Sequence, residues 1–289
     1  MTILAFVFAG ILAASLPLLL AALGEMVVEK TGLLNLGIEG MMALGAAVGF
    51  VAVYLTGSHV LGLAGGALAA ALLSLAFAGM VLGARANQVA AGLAVGVLGL
   101  GLSALFGASY ESFTVSGLPK LAVPALSDLP VLGGLFRQDV LVWAAIPGVV
   151  VLWWVLERTK AGLVIRAVGE NADAARAIGY DVVLIRAGAV AFGGAMAGLG
   201  GAYASTVLTP LWAEGMIAGR GWIALALVVF GTWRTGRVTL GALLFGTLVL
   251  GGLAAQAAGA RVPSQLLASL PYLVTIVMLC ILSAGRRRA

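Results

Sequence analysis

The sequence predicts an all-α polytopic membrane protein, a bundle of about eight to ten transmembrane helices of about 20 residues each. The composition supports this first, because 62% of the residues are hydrophobic and only 9% are charged, whereas soluble domains carry about 25% charged residues. Second, the apolar residues form consecutive runs long enough to cross a bilayer. Third, the basic residues lie between these runs, as they do in the loops of membrane proteins.

The predicted spans follow one another along a single transmembrane domain that takes up residues 1–289. Their approximate limits are 3–23, 32–56, 60–83, 88–107, 140–156, 187–208, 222–233, 238–257 and 266–284. The first run is assigned to the membrane rather than to a cleaved signal peptide because no basic segment precedes it. Spans 140–156 and 222–233 are short, and short spans flanked by glycine are typical of broken or re-entrant elements that line a cavity.

The basic residues also predict the orientation of the bundle. If the long polar segment 157–186 is cytoplasmic, twelve basic residues fall on the cytoplasmic side and four outside. The twelve are Lys30, Arg85, Arg158, Lys160, Arg166, Arg176, Arg186, Arg234, Arg237, Arg286, Arg287 and Arg288. The positive-inside rule therefore predicts that the N-terminus is outside and the C-terminus inside. Residues 108–139 then form the longest external loop, which is either a plain connector or a docking surface for an external binding protein.

Several classes of function are excluded by what the chain lacks. It has one cysteine, Cys280, and one histidine, His59, so an internal disulfide, a thiol metal cluster and most Ser/His/Asp or Cys/His catalytic sets are ruled out. The basic excess is spread between the spans and is not a nucleic-acid patch. Residues 24–31 come close to a phosphate-binding loop, but Glu29 replaces the second glycine and would repel phosphate. Energy for any transport must therefore come from a partner or from an ion gradient.

Glu39 is the most unusual charge, because it lies about two turns inside a predicted span, where a carboxylate costs a few kcal/mol. Asn35 precedes it by four residues, which would place both side chains on one helix face. There they either line a transport path or lock two helices together. Asn87 is a further polar candidate for the path.

Residues 209–220 predict an irregular turn near the outer side of the membrane, since they contain Gly215 and Gly219. Trp212, Glu214 and Arg220 lie in this turn. Aromatic and polar groups there suit a sugar or nucleoside route. The alternative is an ordinary interfacial tryptophan belt.

The polar segment 157–186 contains signals for a helix of its own. Asn171 is a good N-cap residue and Gly179 a good C-terminal one. Ala174, Ala175 and Ile178 then share one face by their spacing. Such a helix is either a solvated connector or a binding surface for another protein.

Three blocks of the sequence, residues 24–42, 157–205 and 215–226, resemble the permease subunits of bacterial ABC importers for simple sugars, nucleosides and branched-chain amino acids. The amino-acid sequence of these blocks is most similar to that of the nucleoside and simple-sugar branch. The resemblance implies that the loop 157–186 holds a coupling helix that docks into a cleft on an ATPase subunit. The residues implicated in this coupling are Arg166, Glu170, Asn171, Ala174, Ala175, Ile178 and Gly179.

The resemblance also implies the partners. Two permeases would form the pathway, the second being a longer paralogue or this chain itself, and an extracytoplasmic binding protein would deliver the solute. The ATPase would use ATP and magnesium, so this chain would bind no cofactor and catalyse no reaction. The complex would lie in a bacterial plasma membrane. The chain departs from the sugar branch at residues 234–237, where a glycine-rich turn is usual, and it is short for the group.

Two other classes of function remain open at the level of sequence. An ion-driven secondary transporter would need an ionisable group near the membrane midplane, and Glu39 is almost the only candidate. A membrane-embedded enzyme is disfavoured by the missing catalytic groups. For an ABC permease, the solute is expected to be a nucleoside, then a ribose-like sugar, then a branched-chain amino acid.

Overall fold

The computed structural model describes residues 3–124, 126, 127, 133–257, 259, 269, 270, 273, 274 and 276. Helices dominate these residues: α1 Ile3–Lys30, α2 Ile38–Thr56, α3 His59–Ala78, α4 Gln88–Gly107, α5 Val140–Arg158, α6 Lys160–Glu170, α7 Ala172–Ala177, α8 Val182–Tyr203, α9 Arg220–Phe230 and α10 Thr235–Ala257. Helices α3 and α8 each end in one π-helical turn, Gly79–Gly83 and Ala204–Leu208. Strands β1 Lys120–Ala122 and β2 Arg137–Asp139 pair antiparallel within the predicted external loop.

Seven of these helices are long and apolar enough to cross a membrane: α1, α2, α3, α4, α5, α8 and α10. Helix α9 has 11 residues and is therefore about 16 Å long, half the thickness of the hydrocarbon core, as its short predicted span indicated. The suggestion of a broken element at 140–156 is wrong, because α5 is a full-length helix of 19 residues. The predicted span 266–284 lies almost wholly outside the described residues.

Helices α1, α2 and α8 form the centre of the bundle, and glycine allows them to approach closely. A Cβ atom on Gly45 of α2 would lie 2.4 Å from the Cα atom of Gly198 of α8. Small residues at such positions are the usual means by which membrane helices pack. Helix α5 is peripheral, since only 11% of its membrane window is buried, against 78% for α1.

The two ends of the bundle differ in chemistry. At one end, which we call the basic end, Trp233 Nε1 donates to Glu29 Oε2 at 2.5 Å, and Arg186 Nε donates to the Thr31 carbonyl at 3.0 Å. At the other, the aromatic end, the ring of Tyr54 packs against Tyr110 with centroids 5.4 Å apart. This segregation agrees with the clustering of basic loops in the sequence; that the basic end faces the cytoplasm stays a prediction.

Candidate functional site at the junction of two broken segments

The connection between α1 and α2 enters the bundle without helical structure. Helix α1 continues to Lys30, and residues 31–37 are not helical, so the prediction of one helix over 32–56 is wrong. Asn35 explains the break, because its side-chain oxygen accepts from the Gly37 N–H at 3.0 Å and offers the backbone an alternative to the helix. The Asn35 N–H donates to Glu25 Oε1 at 3.0 Å. Asn35 and Glu39 therefore do not share a helix face.

A second irregular segment precedes α9. Gly215 and Gly219 have φ values of 74° and 82°, which confirms an irregular turn here; its position near the outer side of the membrane stays a prediction. Glu39, in the first turn of α2, accepts a hydrogen bond from the Gly219 N–H at 3.0 Å through Oε1. Gly219 is the N-cap residue of α9, so Glu39 makes from a neighbouring helix the bond to the N-cap N–H that a Glu at the third helical position makes in a capping box. A Cβ atom on Gly221 would lie 2.4 Å from the Glu39 Cα atom, so the two backbones are in contact.

The contact between α2 and α9 lies deep in the bundle. Helix α9 runs about 16 Å from this contact to the turn that holds Trp233, which is bonded to Glu29 at the basic end. This length is about half of the hydrocarbon core. The Glu39 carboxylate is therefore near the middle of the membrane-spanning region.

A cavity of 260 Å³ lies beside this contact, and we call it the Glu39 cavity. Its lining consists of Glu39, Ala43, Leu100, Ser103, Ala104 and residues 212–218. The second carboxylate oxygen of Glu39, Oε2, is buried and has no hydrogen-bond partner among the described residues. Two carboxylates, Glu39 and Glu214, line the cavity, and no basic side chain in the described part of the chain does.

Three of the six residues predicted for the pathway, Glu39, Trp212 and Glu214, line this cavity together. Trp212 is buried, and its ring packs closely on Gly107 at the end of α4. The sequence did not single out Ser103, whose Oγ donates to the Ala43 carbonyl at 2.8 Å; a lone hydroxyl inside an apolar span was the available signal.

The other three predicted residues lie outside the cavity lining. Asn35 holds the α1–α2 connection. Asn87 is the N-cap of α4 and accepts from the N–H groups of Val89 and Ala90. Arg220 is the first residue of α9. The two asparagines therefore have structural hydrogen bonds, a role that N-cap and turn propensity explains.

The polar segment 157–186 lies at the basic end, and its fold agrees with the sequence prediction only in part. Asn171 caps α7 by accepting from the N–H groups of Asp173 and Ala174, and Gly179 follows the helix with a φ of 95°. The prediction that Ala174, Ala175 and Ile178 share one face is wrong, however. Ala175 is only 2% exposed and packs with Val168 and Val182, whereas Ile178 is 72% exposed. The exposed residues of α7 are Asp173, Ala174, Arg176 and Ala177, and Ile178 is exposed directly after the helix.

The same segment is tied to the α1–α2 connection. A Cβ atom on Gly169 of α6 would lie 2.2 Å from the Lys30 carbonyl oxygen, so α6 contacts the end of α1 directly. Arg186 donates to the Thr31 carbonyl. Arg166, whose part in coupling stays a prediction, donates to the Leu156 carbonyl and secures α6 to the end of α5. Glu170 is exposed at the end of α6.

Comparison with known proteins agrees with this architecture. A family described as "Branched-chain amino acid transport system / permease component" matches residues 7–283. The chain belongs to this permease family. An ABC transporter permease protein of Haloferax volcanii, to which glucose is provisionally assigned, is 39% identical over 91% of this chain and 87% of its own length. A guanosine ABC transporter permease of Bacillus subtilis and a nucleoside ABC transporter permease of Lactococcus lactis are 33% and 31% identical, each over 96% of this chain and 92% of its own length.

The chain is therefore a permease subunit of an ABC importer, and the resemblance seen in the sequence is confirmed. It is a multi-pass membrane protein of a family of transport subunits, and that family works with an ATPase and a substrate-binding protein. The alternative of an ion-driven secondary transporter is not supported. The deep position of Glu39 thus has to be explained within an ABC permease.

Proposed function

We propose that the permease carries a neutral polyhydroxylated solute, a nucleoside first and a simple sugar second, and that the solute passes the Glu39 cavity. The observation that carries this proposal is the unpartnered Oε2 atom of Glu39, buried at the cavity beside the start of α9. A buried carboxylate oxygen without a donor is costly, and a hydroxyl group of a ribose or hexose would supply the donor. The names of the relatives, which refer to glucose, guanosine and nucleosides, point the same way.

The charge of the cavity argues against the third solute class. A branched-chain amino acid brings its own carboxylate, which requires a cation or several N–H donors for binding. The described lining instead has the carboxylates of Glu39 and Glu214 and no basic side chain. A solute carboxylate inside the cavity would be repelled strongly by these two carboxylates, because charges interact strongly in a low-dielectric site. A neutral solute with several hydroxyl groups avoids this penalty.

Coupling to the ATPase is assigned to the exposed apolar side chains of Ala174 on α7 and of Ile178 directly after it, and not to the buried Ala175. The ATPase would bind and hydrolyse ATP with magnesium, and this chain would bind no cofactor. Movement of the segment 157–186 would reach the α1–α2 connection through Gly169 of α6 and Arg186 at the start of α8, which contact Lys30 and Thr31. That connection continues through Asn35 into Glu39, which gives the movement a physical route from the ATPase to the cavity.

The proposed complex contains a second permease and a substrate-binding protein besides the ATPase. One transmembrane domain over residues 1–289 would pair with a second permease, a longer paralogue or another copy, in the plasma membrane of a prokaryote. The largely exposed surface of α5 is available to lipid or to that partner. The external loop 108–139 would receive the substrate-binding protein.

The test is uptake into proteoliposomes that contain the permease with its ATPase and binding protein, using guanosine, ribose, glucose and leucine as solutes. In Glu39→Gln the amide oxygen can keep the bond from Gly219, but an NH2 group, which only donates, takes the place of the free oxygen Oε2. A solute hydroxyl then loses its charged acceptor, so uptake of the preferred solute should fall by about tenfold, the value of one charged hydrogen bond. Glu111→Gln is the matched control, since Glu111 is exposed and does not line the cavity, and a glutamine oxygen can keep its 3.4 Å bond from the Glu214 N–H.

Two outcomes would contradict the proposal. Equal loss of uptake in the Glu39 and Glu111 variants would mean that uptake depends on the net charge of the protein and not on a carboxylate in the Glu39 cavity. Preferred uptake of leucine, unaffected by Glu39→Gln, would leave the ABC permease intact but remove both the solute class and the pathway. Normal folding of each variant is checked by gel filtration in detergent.

A further inference from the structure

A second, larger cavity of 800 Å³ lies at the basic end, between the C-terminal end of α5 and the N-terminal end of α10. Its basic lining residues are Arg158, Arg234 and Arg237, and Glu157 is its one acidic residue in the described part of the chain. It shares no lining residue with the Glu39 cavity. The transport route proposed above does not use it.

The polar groups of this cavity are poorly satisfied. Thr235, the first residue of α10, lines the cavity and is 2% exposed, yet its hydroxyl has no hydrogen-bond partner among the described residues. None of the three arginines forms an ion pair within the described residues. Arg237 donates only to the Thr232 hydroxyl at 2.8 Å, and Arg158 lies 5.9 Å from the centre of the Trp153 ring.

These groups form the set that an anion requires. The N-terminus of a long helix carries free N–H groups and a partial positive charge, and α10 has 23 residues. Arginine binds phosphate oxygens through two parallel N–H donors. The Thr235 hydroxyl, buried and unpartnered, needs an acceptor or donor from outside the described protein.

The apolar part of the lining shows what kind of phosphate fits. Val149, Trp153 and Leu240 line the same cavity, and a free phosphate ion would leave this surface uncovered. Trp153 and Trp154 are exposed at the end of α5, and such tryptophans mark the level of the lipid headgroups. Basic pockets between membrane helices at this level suit the headgroups of anionic lipids.

We propose that this cavity binds an anionic phospholipid, with the phosphate held by Arg234, Arg237 and Thr235 at the start of α10 and the glycerol and upper acyl chains against Val149 and Leu240. The lipid then joins α5 to α10 at the basic end. Helix α5 has little other packing, since 11% of its membrane window is buried. The lipid would therefore also hold α5 in place.

The experiment is native mass spectrometry of the full chain in detergent, titrated with phosphatidylglycerol or with phosphatidylcholine of the same acyl chains. We expect the wild type to retain phosphatidylglycerol at least tenfold more strongly. Arg234→Gln with Arg237→Gln should abolish this preference. Arg85→Gln, which removes an exposed arginine outside the cavity lining, should leave it unchanged.

Thr235→Val provides a second variant that keeps every charge. It should lower the retention of phosphatidylglycerol several-fold, since the phosphate loses one donor. It should also raise the melting temperature of the lipid-free protein, since it removes a buried hydroxyl that has no partner. A purely structural hydroxyl would not produce these opposite effects.

Three results would overturn the proposal. The first is equal retention of the two lipids by the wild type. The second is stabilisation by inorganic phosphate alone to the same degree as by phosphatidylglycerol, which would assign the site to free anions. The third is loss of the ATPase subunit, with phosphatidylglycerol retained, in the double arginine variant, which would assign the arginines to a protein interface.

Discussion

Gly221→Ala is expected to separate α9 from α2 and thereby open the junction at which Glu39 is held. The new Cβ atom would lie 2.4 Å from the Glu39 Cα atom, whereas ordinary contacts begin at 3.4 Å, so the two backbones must move apart by about 1 Å. Overpacking of this kind costs about 1–3 kcal/mol. Loss of the Gly219–Glu39 hydrogen bond adds about 1–3 kcal/mol, and the gain in helix propensity returns at most about 1 kcal/mol.

The free energy of unfolding should therefore fall by roughly 1–5 kcal/mol, and uptake should fall with it. The measurements are the melting temperature of the permease in detergent and uptake into proteoliposomes. Gly188→Ala is the matched control, because a Cβ atom there, also within a helix, meets no atom within 4 Å. Adding Glu39→Gln should not rescue Gly221→Ala, since the clash is with backbone. The reasoning is refuted if Gly221→Ala melts and transports like Gly188→Ala.

Three further predictions follow from the described contacts. Ile178→Glu should release the ATPase during co-purification without lowering the melting temperature, whereas Ala175→Glu should lower it by burying a charge; the reverse pattern would contradict the assignment of the coupling surface. Tyr203→Phe removes the 2.6 Å bond from the buried Tyr203 hydroxyl to Asp139 Oδ2, so the free energy of unfolding should fall by about 1–3 kcal/mol; an unchanged denaturation midpoint would show that the bond is not needed. Gly169→Ala places a Cβ atom 2.2 Å from a carbonyl oxygen of α1 and should uncouple ATP hydrolysis from uptake; a normal ratio of the two rates would exclude this contact from the coupling route.

The sequence determined the class of the protein and most of its helices. Runs of apolar residues set the membrane spans because the bilayer fixes their length. Local cap residues, such as Asn171 before α7 and Gly179 after it, set the ends of this short polar helix because capping depends on neighbours in the chain. The family could also be recognised from the sequence, since its motifs are contiguous segments.

Only the tertiary structure decided where the polar residues act. Hydrophobicity cannot show that residues 31–37 are not helical, because the Asn35–Glu25 bond that stabilises the break joins segments ten positions apart. Ala175 and Ile178 are both apolar, and the sequence does not show which of them is buried. The burial of Ala175 against Val168 and Val182 depends on how α6 and α8 fold back. Glu39 acquired its partner, the Gly219 N–H, from 180 residues away, and spacing along a chain contains no record of contacts at that range.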